Sequence, residues 1–231
     1  IAYETVTSSD GSMPLLAPMS TIAGQLAFVV GSYHLLKHNK GKGVMIGHMD
    51  DMDPRVVTVI GAGVAGTQSI LKAIDNKALV KVVDSSQSKL DDLKSKYGTE
   101  NVEYILSSKD SIQVSVNESD LVIGSVYVVG KEAPKVVTKD MLSSMNPGTV
   151  MVDVSIDQGG CFETSKPTTH DSPTFLENDI VHYCVTNMPG AVPLTATEAL
   201  NKVSLSYVEK LANNGVQNAL DSDEHLRNGL N

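Results

Sequence analysis

The sequence predicts an α/β fold, a doubly wound parallel sheet with helices on both faces. Three observations carry this. Short apolar runs alternate with stretches of helical period from Val56 to Cys184, the pattern of repeated strand–helix–strand units. Two of those runs, Leu121-Val122-Ile123 and Val150-Met151-Val152, are apolar on both faces, as parallel strands covered by helices on each side are. The run Val56-Val57-Thr58-Val59-Ile60 leads into Gly61-Ala62-Gly63-Val64-Ala65-Gly66, a glycine turn between a strand and a helix.

Taken in order, Ala2-Tyr3-Glu4-Thr5-Val6 reads as part of a strand and Asp10-Gly11 as a turn. Ile22, Ala23, Leu26, Ala27, Val30, His34 and Leu35 recur at helical spacing behind Ser20. They predict a helix over about 20–37 with Ser20 as N-cap. Loops follow at 41–43 and 49–54. Then come strand 56–60, helix 64–76, strand 80–84 and helix 86–97, closed by Gly98. Strand 102–105, a helix near 109–116 and strand 121–124 follow. A helix near 138–144 stops before Pro147-Gly148, ahead of strands 149–154 and 180–184. A helix over 195–213 carries Leu200, Val203, Tyr207, Val208 and Leu211. Asn228-Gly229-Leu230-Asn231 is a helix-ending pattern. The expected domains are 1–16 and 193–231, remnants of a second domain, around a main domain over 17–192.

The chain has 231 residues, 41% hydrophobic and 19% charged, with a formal net charge of −9. That is a globular composition with no basic stripe, which argues against nucleic acid or an anionic membrane as partner. Cys161 and Cys184 are far apart and make no disulfide framework. The apolar stretch Leu26–Leu36 is too short to span a bilayer, and no signal peptide is found. A cytoplasmic setting is expected. The chain starts at Ile1 and both ends look cut, so a fragment of a longer protein is expected.

The glycine turn points to a dinucleotide. Gly61 permits the tight turn, Gly63 lets backbone approach the pyrophosphate, and Gly66 lets helix and strand pack closely. The pyrophosphate is then met by N–H groups at a helix N-terminus. Asp84, closing the run Val80–Val83, would accept from the adenosine ribose hydroxyls. Its charge repels a 2′-phosphate, which favours NAD over NADP. The alternative for Asp84 is an N-cap of the next helix.

Ligands of open α/β sheets bind beyond the carboxyl ends of the strands. There, Asp157 in Val154-Ser155-Ile156-Asp157-Gln158-Gly159-Gly160-Cys161 is aimed at the crevice, whereas Asp153 is structural. Gly159 and Gly160 either let backbone pass close to a ligand or permit a turn. Asn187 and Met188 end the run from His182 and are placed to orient a nicotinamide and pack on it, or simply to turn the chain. His34 and His38 share a helix face with no third ligand and read as a solvated pair. His170 lies in a loop, Cys161 reads as packing, and no metal site is expected. Asp221-Ser222-Asp223-Glu224 reads as a solvated helix start.

These segments resemble the alanine dehydrogenase family. The likeness is carried by Gly61–Gly66, Asp157-Gln158-Gly159-Gly160-Cys161-Phe162-Glu163-Thr164-Ser165, Pro167-Thr168-Thr169-His170-Asp171 and Asn187-Met188-Pro189-Gly190. Tyr3-Glu4-Thr5-Val6 and Pro18-Met19-Ser20 add to it. The resemblance implies NAD as cofactor and reversible oxidative deamination of L-alanine to pyruvate and ammonia. It also implies a two-domain subunit in a homohexamer. By the same resemblance Ser20, Gly61, Gly63, Val64 and Gly66 meet the cofactor, and Asp84 and Lys89 lie on its adenosine-ribose side. Ser107, Val126 and Tyr127 line the adenine and ribose pocket. Val154, Ser155 and Ile156 match the nicotinamide side together with Val185, Thr186, Asn187 and Met188, and Asp157 matches the catalytic aspartate. Lys166 stands at a cofactor-side position where arginine is expected, and Tyr127 is bulkier than the usual aliphatic residue. The family's substrate-binding Arg and Lys and its catalytic His fall upstream of Ile1. Two other readings stay open. One is the NAD-binding component of a proton-translocating transhydrogenase; the other is a non-catalytic NAD-sensing module.

Overall fold

The structure, a computed structural model, describes residues 1–128 and 131–230. The chain divides into two compact units, Ala23–Met188 and Ile1–Ile22 with Pro189–Asn231.

The first of these units is built on one sheet. Its strands are β1 (Val56–Ile60), β2 (Leu79–Asp84), β3 (Val102–Leu106), β4 (Leu121–Gly124), β5 (Val150–Asp153), β6 (Thr174–Glu177) and β7 (Ile180–Tyr183). They lie in the order β3-β2-β1-β4-β5-β7-β6, all parallel except the β6–β7 hairpin. Helices α1 (Ala17–His34), which belongs to this unit from Ala23 on, α2 (Val64–Asp75), α3 (Gln87–Tyr97) and α4 (Lys109–Glu118) complete it. The doubly wound α/β fold is therefore present.

Alternation along each strand makes two cores. Val57, Val59, Leu121, Ile123, Val150 and Val152 pack with Ala27 and Phe28 of α1, Ile70 of α2 and Leu90 of α3. The residues between them, Ile60, Val122 and Met151, pack on the other face with Ile112 and Val116 of α4 and with Met141 and Leu142. A strand covered on both faces has no room for a polar side, so its sequence reads as a continuous apolar run.

Several elements differ from expectation. Tyr3–Thr5 is a 3-10 turn, not strand. α1 begins at Ala17, so Ser20 is inside its first turn, with its amide donating to the Leu16 carbonyl at 3.2 Å. Pro18 is tolerated there because first-turn N–H groups have no intrahelical partner. Lys139–Ser144 is 3-10, not α. β6 is an added strand, joined to β7 by Asn178-Asp179 with φ of 51° and 61°, the left-handed pair of a two-residue hairpin turn. His34 is buried rather than solvated. Its ring lies 5.2 Å from that of Tyr33 and 5.7 Å from that of Tyr183.

The other unit carries α5 (Pro193–Asn214), α6 (Val216–Asp221) and α7 (Glu224–Arg227). Val6, Leu15, Ala219, Leu220 and Leu226 form its core, with Val203, Tyr207 and Leu211 packed against them. Asp223 caps α7, accepting from the amides of His225 and Leu226, and pairs with Lys210 at 2.6 Å. Asn231, last in the expected helix-ending pattern, lies outside the described residues. Among the described residues no helix is long and apolar enough to cross a membrane.

Candidate functional site

β1 and β4 are neighbours at the centre of the sheet, and the connections that follow them run to opposite halves. Such a switch point leaves a crevice at the carboxyl ends of the strands. The glycine turn lies there, and each of its glycines has a separate geometric reason. Gly61 has φ of +100°, and a Cβ on it would fall 2.5 Å from the Ser125 carbonyl oxygen. A Cβ on Gly66 would lie 1.8 Å from the Gly61 carbonyl oxygen. Around a Cβ on Gly63 there is nothing within 4 Å among the described residues. Gly63 is the N-cap of α2 and brings no side-chain cap, so the first-turn N–H groups are presented beside open space. That is what a pyrophosphate needs, and a dinucleotide fits these residues.

Ser125 is the residue at this turn that sequence reading missed. Its amide donates to the Ile60 carbonyl at 2.8 Å and its hydroxyl to the Gly61 carbonyl at 2.9 Å, fixing the turn from β4. The only signal was a small polar residue directly after the apolar run of β4. Its importance depends on a strand register that the sequence does not display.

Asp84 ends β2. One carboxylate oxygen accepts from the Ala62 amide at 2.7 Å and the other from the Ser86 amide at 2.8 Å. The N-cap of α3 is Ser86, so Asp84 does not serve as that cap. It latches the glycine turn to β2, and each carboxylate oxygen keeps a lone pair for a hydroxyl. Ser107 follows β3 and donates its amide to the Asp84 carbonyl at 2.9 Å. Lys89 is exposed in the first turn of α3.

The ends of β4, β5 and β7 form the other half of the crevice. Val154 donates its amide to the Gly124 carbonyl at 2.8 Å, and the Ser155 hydroxyl donates to the Val126 carbonyl at 2.8 Å. Tyr127, next to Val126, is half exposed. Ile156–Gln158 is a 3-10 turn that presents Asp157 to solvent. The Asn187 amide, in the left-handed region at φ of 51°, points at both Asp157 oxygens at 3.4 and 3.3 Å. His170 donates from Nε2 to the Asn187 carbonyl at 3.4 Å. Asp157, Asn187 and His170 are thus brought together from three separate loops.

Ile156, Val185 and Met188 bury their side chains, so what they offer a ligand is backbone. Thr186 is exposed, and its amide donates to the Thr168 carbonyl at 3.3 Å. Asp157, Gln158 and Gly159 line a cleft of about 400 Å³ with Lys131 and Glu132. Among the described residues, the buried Gln158 side-chain oxygen has no hydrogen-bond partner. Lys135 donates to the carbonyls of Gly159 and Gly160 from behind.

One expected contact lies apart from this group. Lys166 pairs with Glu177 at 3.5 Å, and Glu177 lies opposite Ile180, at the amino end of β7. Burial pushes the Cys161 thiol well above its usual range, and Asp153 adds to this. Burial likewise pushes Cys184 up to about 12. Thiols so raised stay protonated and unreactive near neutral pH, in keeping with a packing role.

The model of the family "Alanine dehydrogenase/PNT, C-terminal domain" matches residues 27–231. The chain is 49% identical over 231 residues to a protein of Halomonas elongata named alanine dehydrogenase, covering all of this chain and 62% of the relative. It is 46% identical over 231 residues to one of the same name from Mycobacterium tuberculosis, again covering 62% of it. A solved L-alanine dehydrogenase superposes with a TM-score of 0.95 at 44% identity, covering 100% of this chain and 63% of that one. A transhydrogenase from Sinorhizobium meliloti gives 0.77 at 22% identity, with coverage of 93% and 60%; that likeness concerns the fold alone. The chain spans about 62% of the length of the curated relatives it matches.

Proposed function

The chain belongs to the alanine dehydrogenase/PNT C-terminal domain family, and on that premise we propose that it is the NAD-binding part of an alanine dehydrogenase. The reaction is the reversible oxidative deamination of L-alanine to pyruvate and ammonia. The observation that carries this reading is one sheet edge holding both a dinucleotide turn and the paired Asp157–Asn187 loops. The names of relatives 45–49% identical across the whole chain supply the substrate.

NAD, when bound, supplies the acceptor for the two electrons and hydrogen leaving Cα of the amino acid. Every other task falls to side chains and backbone. Gly63 and the first turn of α2 take the pyrophosphate. Asp84 accepts from the ribose hydroxyls and its charge disfavours a 2′-phosphate. Lys89, Ser107, Val126 and Tyr127 surround the adenosine half. Val154–Ile156 and Val185–Met188 hold the nicotinamide half largely through backbone. Asp157, fixed by the Asn187 amide, faces the substrate ammonium or the water that hydrolyses the imine, and holds or moves its proton. Residues 17–192 act as the dinucleotide domain, with 1–16 and 193–231 belonging to a substrate domain. A cytoplasmic homohexamer is the matching assembly, supported by family resemblance. No residue-level observation favours the transhydrogenase reading.

The test has two arms. Calorimetry on the purified chain is expected to give NADH binding with NADPH weaker by about tenfold or more, which is 1.4 kcal/mol. Alanine-dependent NADH formation is then assayed with the chain joined to the part of the Halomonas elongata relative that it does not span. Binding without turnover in that fusion favours the NAD-sensing module. Absence of binding rejects the reading altogether.

A further inference from the structure

We propose that Asp153 is a positioning residue, which sets the nicotinamide side of the crevice by tying the loops after β5 and β7 together from inside. The proposal rests on the NAD-binding reading above.

Asp153 is fully buried at the end of β5, and no cation pairs with it among the described residues. A carboxylate in such a place is costly unless hydrogen bonds replace its water. Here they do. One oxygen accepts from the Ser155 amide at 3.0 Å. The other accepts from the Cys161 amide at 2.8 Å, the Phe162 amide at 3.3 Å and the Ser165 hydroxyl at 2.5 Å. The donors come from both ends of the segment 155–165. Asp153 therefore closes that segment into a ring, and Asp157 is carried on the ring.

Ser165 extends the tie. Its hydroxyl oxygen receives the Cys184 thiol at 3.8 Å, one residue before Val185. The loops after β5 and β7 are thus joined twice, inside through Asp153, Ser165 and Cys184, and outside through Asp157 and Asn187. In a doubly wound sheet the half beyond β4 receives the second mononucleotide. The adenosine half, built on the glycine turn and Asp84, makes none of these bonds.

Asp153→Asn is the informative change. Its amide NH2 must face either the Ser155 amide or those of Cys161 and Phe162, donor against donor, so at least one bond opens. The full 231-residue chain is titrated with NADH and with ADP-ribose, which lacks the nicotinamide. In the unsubstituted chain NADH is expected to bind more tightly than ADP-ribose. In Asp153→Asn the ADP-ribose affinity should stay within about twofold, whereas NADH should weaken by about tenfold. A loss of general stability would move both ligands together. Asp153→Asn with an unchanged NADH to ADP-ribose ratio overturns the proposal, as does equal binding of the two ligands to the unsubstituted chain. If Asp153→Asn fails to fold in a thermal melt, Ser165→Ala decides instead, with the same ratio expected to shrink and an unchanged ratio counting against the idea. Failure of the unsubstituted chain to bind either ligand is a different result, and sinks the NAD reading itself.

Discussion

Gly63 and Gly66 are three residues apart in one turn and do opposite jobs. A methyl on Gly66 collides with the Gly61 carbonyl at 1.8 Å, so α2 must lift off the sheet. Gly66→Ala is expected to lower the free energy of urea unfolding by about 1–3 kcal/mol or more. A methyl on Gly63 meets nothing within 4 Å among the described residues, and its φ of −75° suits any residue. Gly63→Ala should change stability by less than about 1 kcal/mol, the scale of a weakened N-cap. NADH binding should nevertheless fall by about tenfold or more, because the methyl occupies the path of the pyrophosphate. Normal NADH affinity in Gly63→Ala would remove the phosphate from this turn. Asp84 has a double duty that sequence alone half revealed. Its place after an apolar run marks a ribose acceptor, but its bond to the Ala62 amide depends on how β1 and β2 align. Asp84→Asn keeps an acceptor and drops the charge. The ratio of NADPH to NADH dissociation constants, read by calorimetry, is expected to move toward one.

At the level of elements, long periodic segments were legible and short ones were not. β1 is expected over 56–60 and lies there, because five β-branched residues before a glycine turn leave little choice. The two-sided burial of β4 and β5 was written in Leu121-Val122-Ile123 and Val150-Met151-Val152. By contrast Ala2–Val6 reads as part of a strand, yet only a 3-10 turn forms there; strand-favouring residue types are a weak signal over five residues without a partner strand. β6 was missed because four residues with one exposed leucine carry almost no period. Its signal was the Asn178-Asp179 pair between Glu177 and Ile180, residues that tolerate positive φ in a two-residue hairpin loop. The meeting of Asp157, Asn187 and His170 was only partly readable. Topology places the first two at one edge, but the amide–carboxylate bond needs Asn187 in the left-handed region. That turn yields a prediction about the hairpin as a unit. Asn178→Val puts a β-branched residue at φ of 51°, and is expected to cost about 1–3 kcal/mol. Asp179→Gly completes the favoured Asn-Gly pair and should raise the urea midpoint. If both variants unfold at the same urea concentration as the unsubstituted chain, the hairpin does not contribute to the cooperative unit.

For the molecule as a whole, acid should act through two buried imidazoles. His182 is fully buried, stacked on Phe175 with ring centroids 4.9 Å apart. Its Nδ1 faces the Ile180 carbonyl at 3.1 Å and its Nε2 the Thr164 hydroxyl at 2.8 Å. A carbonyl only accepts, so Nδ1 carries the hydrogen and Nε2 accepts from Thr164. Protonation would turn that acceptor into a second donor inside the core. Burial holds the pKa of His182 below its usual value, and burial does the same for His34. The folded state then binds fewer protons than the unfolded chain, so stability rises with pH wherever unfolded histidine is charged. The contribution is complete above the unfolded value of about 6.5 and is lost as pH falls through that value toward the lower folded one. Asp153 works in the opposite sense. Burial raises its pKa despite its hydrogen bonds, so protonation relieves part of its penalty as pH falls toward the unfolded value of 3.8. The imidazoles respond first on acidification from neutrality, and urea midpoints measured from pH 7.5 to 5.5 should fall. His34→Gln with His182→Gln removes both titrating groups. That double variant starts from a lower midpoint, but its decline across the same range should be shallower, and an equally steep decline would assign the acid sensitivity to other groups.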